Sequence, residues 1–117
     1  MIERLDIYDQ ERKKTGKIIE RKEGLRIGKE EYILAVQCWI INKQREILLT
    51  QRRFDKGYGG MWEPTGGLVT SGENSIQGVR RELQEEIGIN ISKDDLFLLK
   101  EKIDKDENCN TFRVFIL

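Results

Sequence analysis

Residues 32–41, YILAVQCWII, are the most apolar run in the chain and constrain its fold more than any other segment. The run does not alternate polar with apolar. It is rich in β-branched and aromatic side chains, so it reads as a strand buried on both faces. Such a strand has to sit inside a sheet with cover above and below. The chain has 117 residues, which is one domain's worth. No repeat, low-complexity tract or Pro/Gly-rich linker divides it.

The flanks supply the rest of that sheet. Residues 5–8 alternate and predict a short strand. A charged turn over 9–16 leads to a return strand at 17–21, which together make a hairpin. Residues 22–31 are polar and read as a connection. A turn at 42–45 precedes a strand at 46–53, a loop over 54–60 and a mixed, glycine-rich stretch at 62–69. Two further strands are expected at 96–103 and 111–117, around a polar turn at 104–110.

Residues 75–87 are the one clear helix. Ile76, Val79, Leu83 and Ile87 fall within a narrow arc at helical spacing. Asn74 is placed as N-cap, Gln77 as its capping-box partner and Gly88 as the C′ residue. Gly78 inside the helix costs ~1 kcal/mol relative to Ala, which a close approach to a sheet would explain.

Composition narrows the chemistry. There are no histidines, which excludes Ser-His-Asp and Cys-His catalysis and His-bearing zinc sites. The 21 Lys and Arg cancel 21 Asp and Glu, so no basic field advertises nucleic acid. The charged start is unlike a signal peptide, and no apolar run approaches the ~20 residues of a membrane helix. Cys38 and Cys109 lack metal-type spacing; one disulfide could join them, though nothing else suggests a secreted scaffold. Cys38, in the apolar strand, reads as an inert core residue. A reduced, cytoplasmic protein is the default expectation.

The helix has a second face. Glu82, Glu85 and Glu86 stand at i, i+3 and i+4 and share one sector. They repel one another and oppose the macrodipole, which prefers cations near that end. A divalent cation would relieve both penalties, and oxygen-only ligands suit Mg²⁺ or Mn²⁺. Taken alone, three glutamates read more readily as a solvated acidic face beside Arg80 and Arg81.

The wider spacing changes that balance. Residues 67–89 read GLVTSGENSIQGVRRELQEEIGI: Gly67, five residues, Glu73, seven residues, Arg81-Glu82, an aliphatic, one residue, Glu85-Glu86, one residue, Gly88, an aliphatic. Chance agreement at these positions is roughly one in 10⁸ or less per start. The segment resembles the Nudix box at every fixed position, and GMWEPTGG resembles the stretch that precedes it. The resemblance implies an α/β/α sandwich around a mixed β-sheet and Mg²⁺- or Mn²⁺-dependent hydrolysis of a nucleoside diphosphate linked to another moiety. It implies metal binding by Glu82, Glu85, Glu86 and the Gly66 carbonyl, with Glu82, Arg81 and Glu85 carrying the catalysis. It gives Gly67, Glu73 and Gly88 a structural part, Glu73 bracing Arg81. The partner is a small diphosphate, most naturally a nucleotide, with no nucleic acid and no membrane.

Arg52 and Arg53, at a strand end, are candidates for phosphate contact, with an exposed strand end as the equal alternative. Tyr58 and Trp62 are candidates for stacking on a base; for Trp62, packing in the core or loop is the stronger reading. Thr65 stands where many family members have Pro. With the N-terminal LDIYD segment, it resembles the branch that includes isopentenyl-diphosphate isomerase. That enzyme's histidines and its Cys-Ser-His-Pro context have no counterpart here. A Nudix-fold binding or regulatory module without turnover is the other alternative. The chain ends inside an apolar strand where family members continue. The expectation is a C-terminally shortened domain whose uncovered sheet edge or face invites a homodimer.

Overall fold

A computed structural model describes residues 2–22, 24–55, 59–105 and 109–116. Its centre is β3 (Tyr32–Cys38), in which six of the seven residues are buried. Both faces are covered, as the run's composition requires. β8 (Asn110–Ile116) pairs with β3 in parallel from Tyr32↔Asn110 to Cys38↔Ile116. The other side of β3 is shared end to end. β1 (Arg4–Tyr8) meets it at Tyr8↔Tyr32, and β6 (Thr65–Leu68) runs antiparallel to it from Ala35↔Leu68 to Cys38↔Thr65. β2 (Lys14–Glu20) and β7 (Leu98–Asp104) complete the sheet, in the order β2-β1-β3-β8-β7. One parallel pair among antiparallel ones makes the sheet mixed.

The alternation of β3 divides the core in two. Tyr32, Leu34, Val36 and Cys38 point to one side and pack with Val79, Leu83, Leu96 and Phe112. Tyr32 stacks on Phe112 with ring centroids 4.5 Å apart. Ile33 points to the other side and packs with Leu5 and Ile7. Leu25 and Ile27 cover that second core, so the 22–31 connection acts as a lid on the sheet. Among the described residues a single α-helix, α1 (Ser75–Ile87), provides the helical layer.

The helix forms over the expected residues. Asn74 Oδ1 accepts from the Gln77 N–H at 2.8 Å, and Gln77 Oε1 accepts from the Asn74 N–H at 2.9 Å. Gly88 ends it in the left-handed region at φ 69°. Gly78 owes its place to close packing: a Cβ there would lie 2.9 Å from Val69 Cγ2. Cys38 is 2% exposed, and burial pushes its thiol pKa up. Cys38 and Cys109 are not joined by a disulfide.

The expected strand at 46–53 shrinks to β4 (Thr50–Gln51), paired with β5 (Trp62–Glu63). Ile47 makes an isolated bridge to Ile41, while Ile47, Leu48 and Leu49 stay exposed. The reason is the partner: Pro64 has no N–H to give, so the 62–69 stretch splits into β5 and β6 around it. The boundaries of β2, β3, β7 and β8 also move by one to three residues from expectation.

Candidate active site

The sheet and helix bring the residues at 66–86 to one cleft. α1 packs on β6 and β3, which sets its acidic face beside Gly66 and Gly67 of β6. Gly66 is required there, because a Cβ would lie 2.2 Å from the Val36 carbonyl oxygen; at Gly67 a Cβ would lie 2.5 Å from Glu82 Oε1 and push that carboxylate aside. The missing side chain makes room for a carboxylate. The Glu82 side chain is 12% exposed, whereas that of Glu85, one turn on, is 59% exposed.

Arg81 organises the surroundings. Its Nε donates to Glu73 Oε2 at 2.8 Å and its Nη2 to Glu73 Oε1 at 3.1 Å. Nη2 also donates to the Leu68 carbonyl at 3.0 Å. Nη1 donates to Glu82 Oε1 at 3.0 Å and Glu85 Oε2 at 3.2 Å. A guanidinium has five N–H donors, and these contacts use all five. The hydrogen bonds to Glu73 hold the Arg81 pKa above its ordinary value against the effect of burial. For Glu73, burial alone would raise the carboxyl pKa; Arg81 and the Thr70 hydroxyl and N–H outweigh it and hold it low.

The network reaches β1. Asp6 Oδ1 accepts from the Ser71 hydroxyl at 2.8 Å, and Oδ2 accepts from the Gly72 N–H at 2.9 Å. The Ser71 N–H donates to the Arg4 carbonyl at 2.7 Å, and Lys14 pairs with Asp6 at 3.1 Å. Burial would raise the Asp6 pKa, but these donors lower it. Asp6 thus anchors the loop that carries Glu73. The sequence reading missed it, because its partners lie 65 residues away; the hint was an aspartate inside an otherwise apolar strand.

The cleft has a volume of about 530 Å³. It is lined by Glu82, Glu85 and Glu86 of α1, by Gly66 and Gly67 of β6, by Arg52 and Arg53 beside β4, and by Glu3, Arg21 and Glu63. Arg52 Nη1 pairs with Glu63 at 3.0 Å, and Arg53 pairs with Asp55 at 2.8 Å. Trp62 is 61% exposed on β5 and lies outside the cleft lining; the core-packing reading fails because its two-residue strand reaches no core. Tyr58 falls outside the described residues. Thr65 is buried, with its hydroxyl lacking a hydrogen-bond partner.

A hard divalent cation fits this donor set. Three carboxylate residues and Gly66 line one space, and the missing Cβ of Gly67 leaves room there for the Glu82 carboxylate. Among the described residues no three acidic side chains already converge in metal-binding geometry; Arg81 serves as the counter-charge of Glu82 and Glu85. Glu85 and Glu86 are exposed, so their side chains have room to turn toward a cation.

Known proteins resemble this chain in sequence and in fold. The family model described as the NUDIX domain matches residues 31–115. A Nudix hydrolase of Listeria monocytogenes, itself uncharacterized, is 36% identical over 77% of this chain and 53% of its own length. The isopentenyl-diphosphate Delta-isomerase of Pectobacterium atrosepticum is 30% identical over 86% of this chain and 55% of its own. A solved MutT structure, from work on Aliivibrio salmonicida and Vibrio cholerae, superimposes with a TM-score of 0.60 at 35% identity. It covers 73% of this chain and 63% of that one. The chain belongs to the Nudix family, and its mixed sheet with one helix matches the Nudix α/β/α sandwich. It spans about half the length of these two curated relatives. No helix among the described residues is long and apolar enough to cross a membrane.

Proposed function

We propose that the chain is a divalent-cation-dependent hydrolase that cleaves the diphosphate linkage of a nucleoside diphosphate joined to another moiety. One observation carries this reading: three box carboxylates, Gly66–Gly67 and two arginines line a single cleft. Glu82, Glu85 and Glu86, with the Gly66 carbonyl, would hold Mg²⁺ or Mn²⁺. The ion screens the phosphate oxygens and acidifies bound water. Glu82 and Glu85 offer carboxylates able to take the water's proton, and Glu82 is fixed for it by Arg81 and the space over Gly67. Arg52 and Arg53 present paired donors to phosphate oxygens. Arg81 has no donor left for substrate, so it is a positioning residue rather than a catalytic one.

An isomerase reading is weaker despite the sequence relationship. The chain lacks histidine, and Cys38 lies in the core with a raised thiol pKa, away from the cleft. The test is turnover of a panel of nucleoside diphosphate derivatives with Mg²⁺ and with Mn²⁺. Glu85→Gln and Glu86→Gln should each lower the rate by about 10²-fold or more with an unchanged circular dichroism spectrum. Near-wild-type rates in both variants would refute the metal assignment. Intact Mg²⁺ binding without turnover across the panel would instead make the chain a binding module.

A further inference from the structure

We propose that Arg21, at the end of β2, is a phosphate-binding residue of the cleft that grips the part of a diphosphate not held at the acidic wall. It belongs to the N-terminal hairpin and lies outside the segment matched by the family model. Its backbone is fixed, because its N–H donates to the Glu3 carbonyl at 2.9 Å. Its side chain lines the acidic cleft and also an adjoining hollow of about 310 Å³. Among the described residues, two cations, Arg21 and Arg52, border both spaces, together with Gly66, Gly67 and Glu63, whose carboxylate is paired with Arg52. An anion that spans the two spaces borders both guanidinium groups, and of the two only Arg21 lies outside the β4–β5 ladder region.

The groups around Arg21 are consistent with exchange of one anion for another. Arg21 Nη1 pairs with Glu3 Oε2 at 2.9 Å, with side chains 50% and 42% exposed. An exposed pair of this kind contributes little to stability. A diphosphate offers several charged oxygens and suits the planar fork of arginine better than one mobile carboxylate does. Glu3 therefore acts as a stand-in anion that the substrate displaces. The identity of that substrate rests on the hydrolase reading; the anion site does not.

The experiment uses ADP as probe, first with EDTA and no divalent cation, by titration calorimetry. Arg21→Ala should raise the ADP Kd about tenfold, and Arg21→Lys should restore part of the loss. Glu3→Gln should lower the Kd about twofold, since it removes the competing carboxylate. These opposite signs separate an anion site from a merely structural ion pair, whose two halves would act alike. In turnover with Mg²⁺, Arg21→Ala should raise KM about tenfold and change kcat less than about threefold. An ADP Kd within twofold of wild type in Arg21→Ala, weaker ADP binding in Glu3→Gln, or no ADP binding by the wild type would overturn the proposal. Loss of ADP binding in Arg21→Ala without turnover by any variant would instead sink the hydrolase reading and leave the anion site standing.

Discussion

The two walls of the cleft are built in different ways. The acidic wall is held from within: Glu82 leans on Arg81, Arg81 on Glu73 and Leu68, Glu73 on Thr70, and the loop on Asp6 of β1. The arginine wall sits on the two-residue ladder of β4 and β5, amid exposed Ile47, Leu48 and Leu49. Its Arg53–Asp55 pair is exposed, and its Arg52–Glu63 pair is half-buried, with neither partner among the groups that Arg81 contacts. A shared, part-buried network couples each member to the next, whereas exposed pairs contribute little and act independently. On the proposed reading, the chemistry falls on the braced side and substrate contact on the less braced side.

This contrast can be broken hardest at Arg81. Arg81→Ala removes all five donors and leaves Glu73 and Glu82 without their counter-charge. The expected loss is ~3 kcal/mol in urea unfolding, with hydrolysis abolished. Arg81→Lys should recover little, because an ammonium cannot span Glu73, Leu68 and Glu82 together. An unfolding midpoint near that of wild type would show that the network is not the brace.

Asp6→Asn tests the far end of the same chain of contacts, at ~1 kcal/mol. Asp6 and Glu73 both have lowered pKa values in the fold. Their contribution is therefore present above the unfolded carboxylate pKa of about 4 and is lost as pH falls through the folded values. Wild type should lose stability steeply in that acid window, and Asp6→Asn less steeply. Equal acid limbs in urea midpoints measured against pH would disconnect Asp6 from the network. The smallest effect belongs to the other wall: Arg53→Ala should change stability by less than ~0.5 kcal/mol while raising KM severalfold. A cooperative loss of stability there would erase the distinction between the walls.

The rigid side was also the legible side. The helix carries its own period and both caps, and the spacing from Gly67 to Ile89 names the acidic cluster before any fold is known. The double burial of β3 follows from its unbroken apolar run. The exposed side was misread where strand propensity stood in for a partner: Leu48 and Leu49 look like strand residues, but the ladder beside them stops at Pro64. Asp6 was illegible for another reason. Its meaning depends on Ser71 and Gly72, and a pairing across that distance leaves no local pattern.

The position of β8 bears on how such a chain is made. Among the described residues it follows every other strand in sequence, yet it lies inside the sheet, between β3 and β7. On a ribosome the box helix emerges complete with its caps and can form locally within microseconds. β3 has by then been synthesised but lacks its parallel neighbour. The helix can therefore sample its fold before the sheet is complete, whereas the sheet that presses it into a cleft closes only once β8 has joined β3.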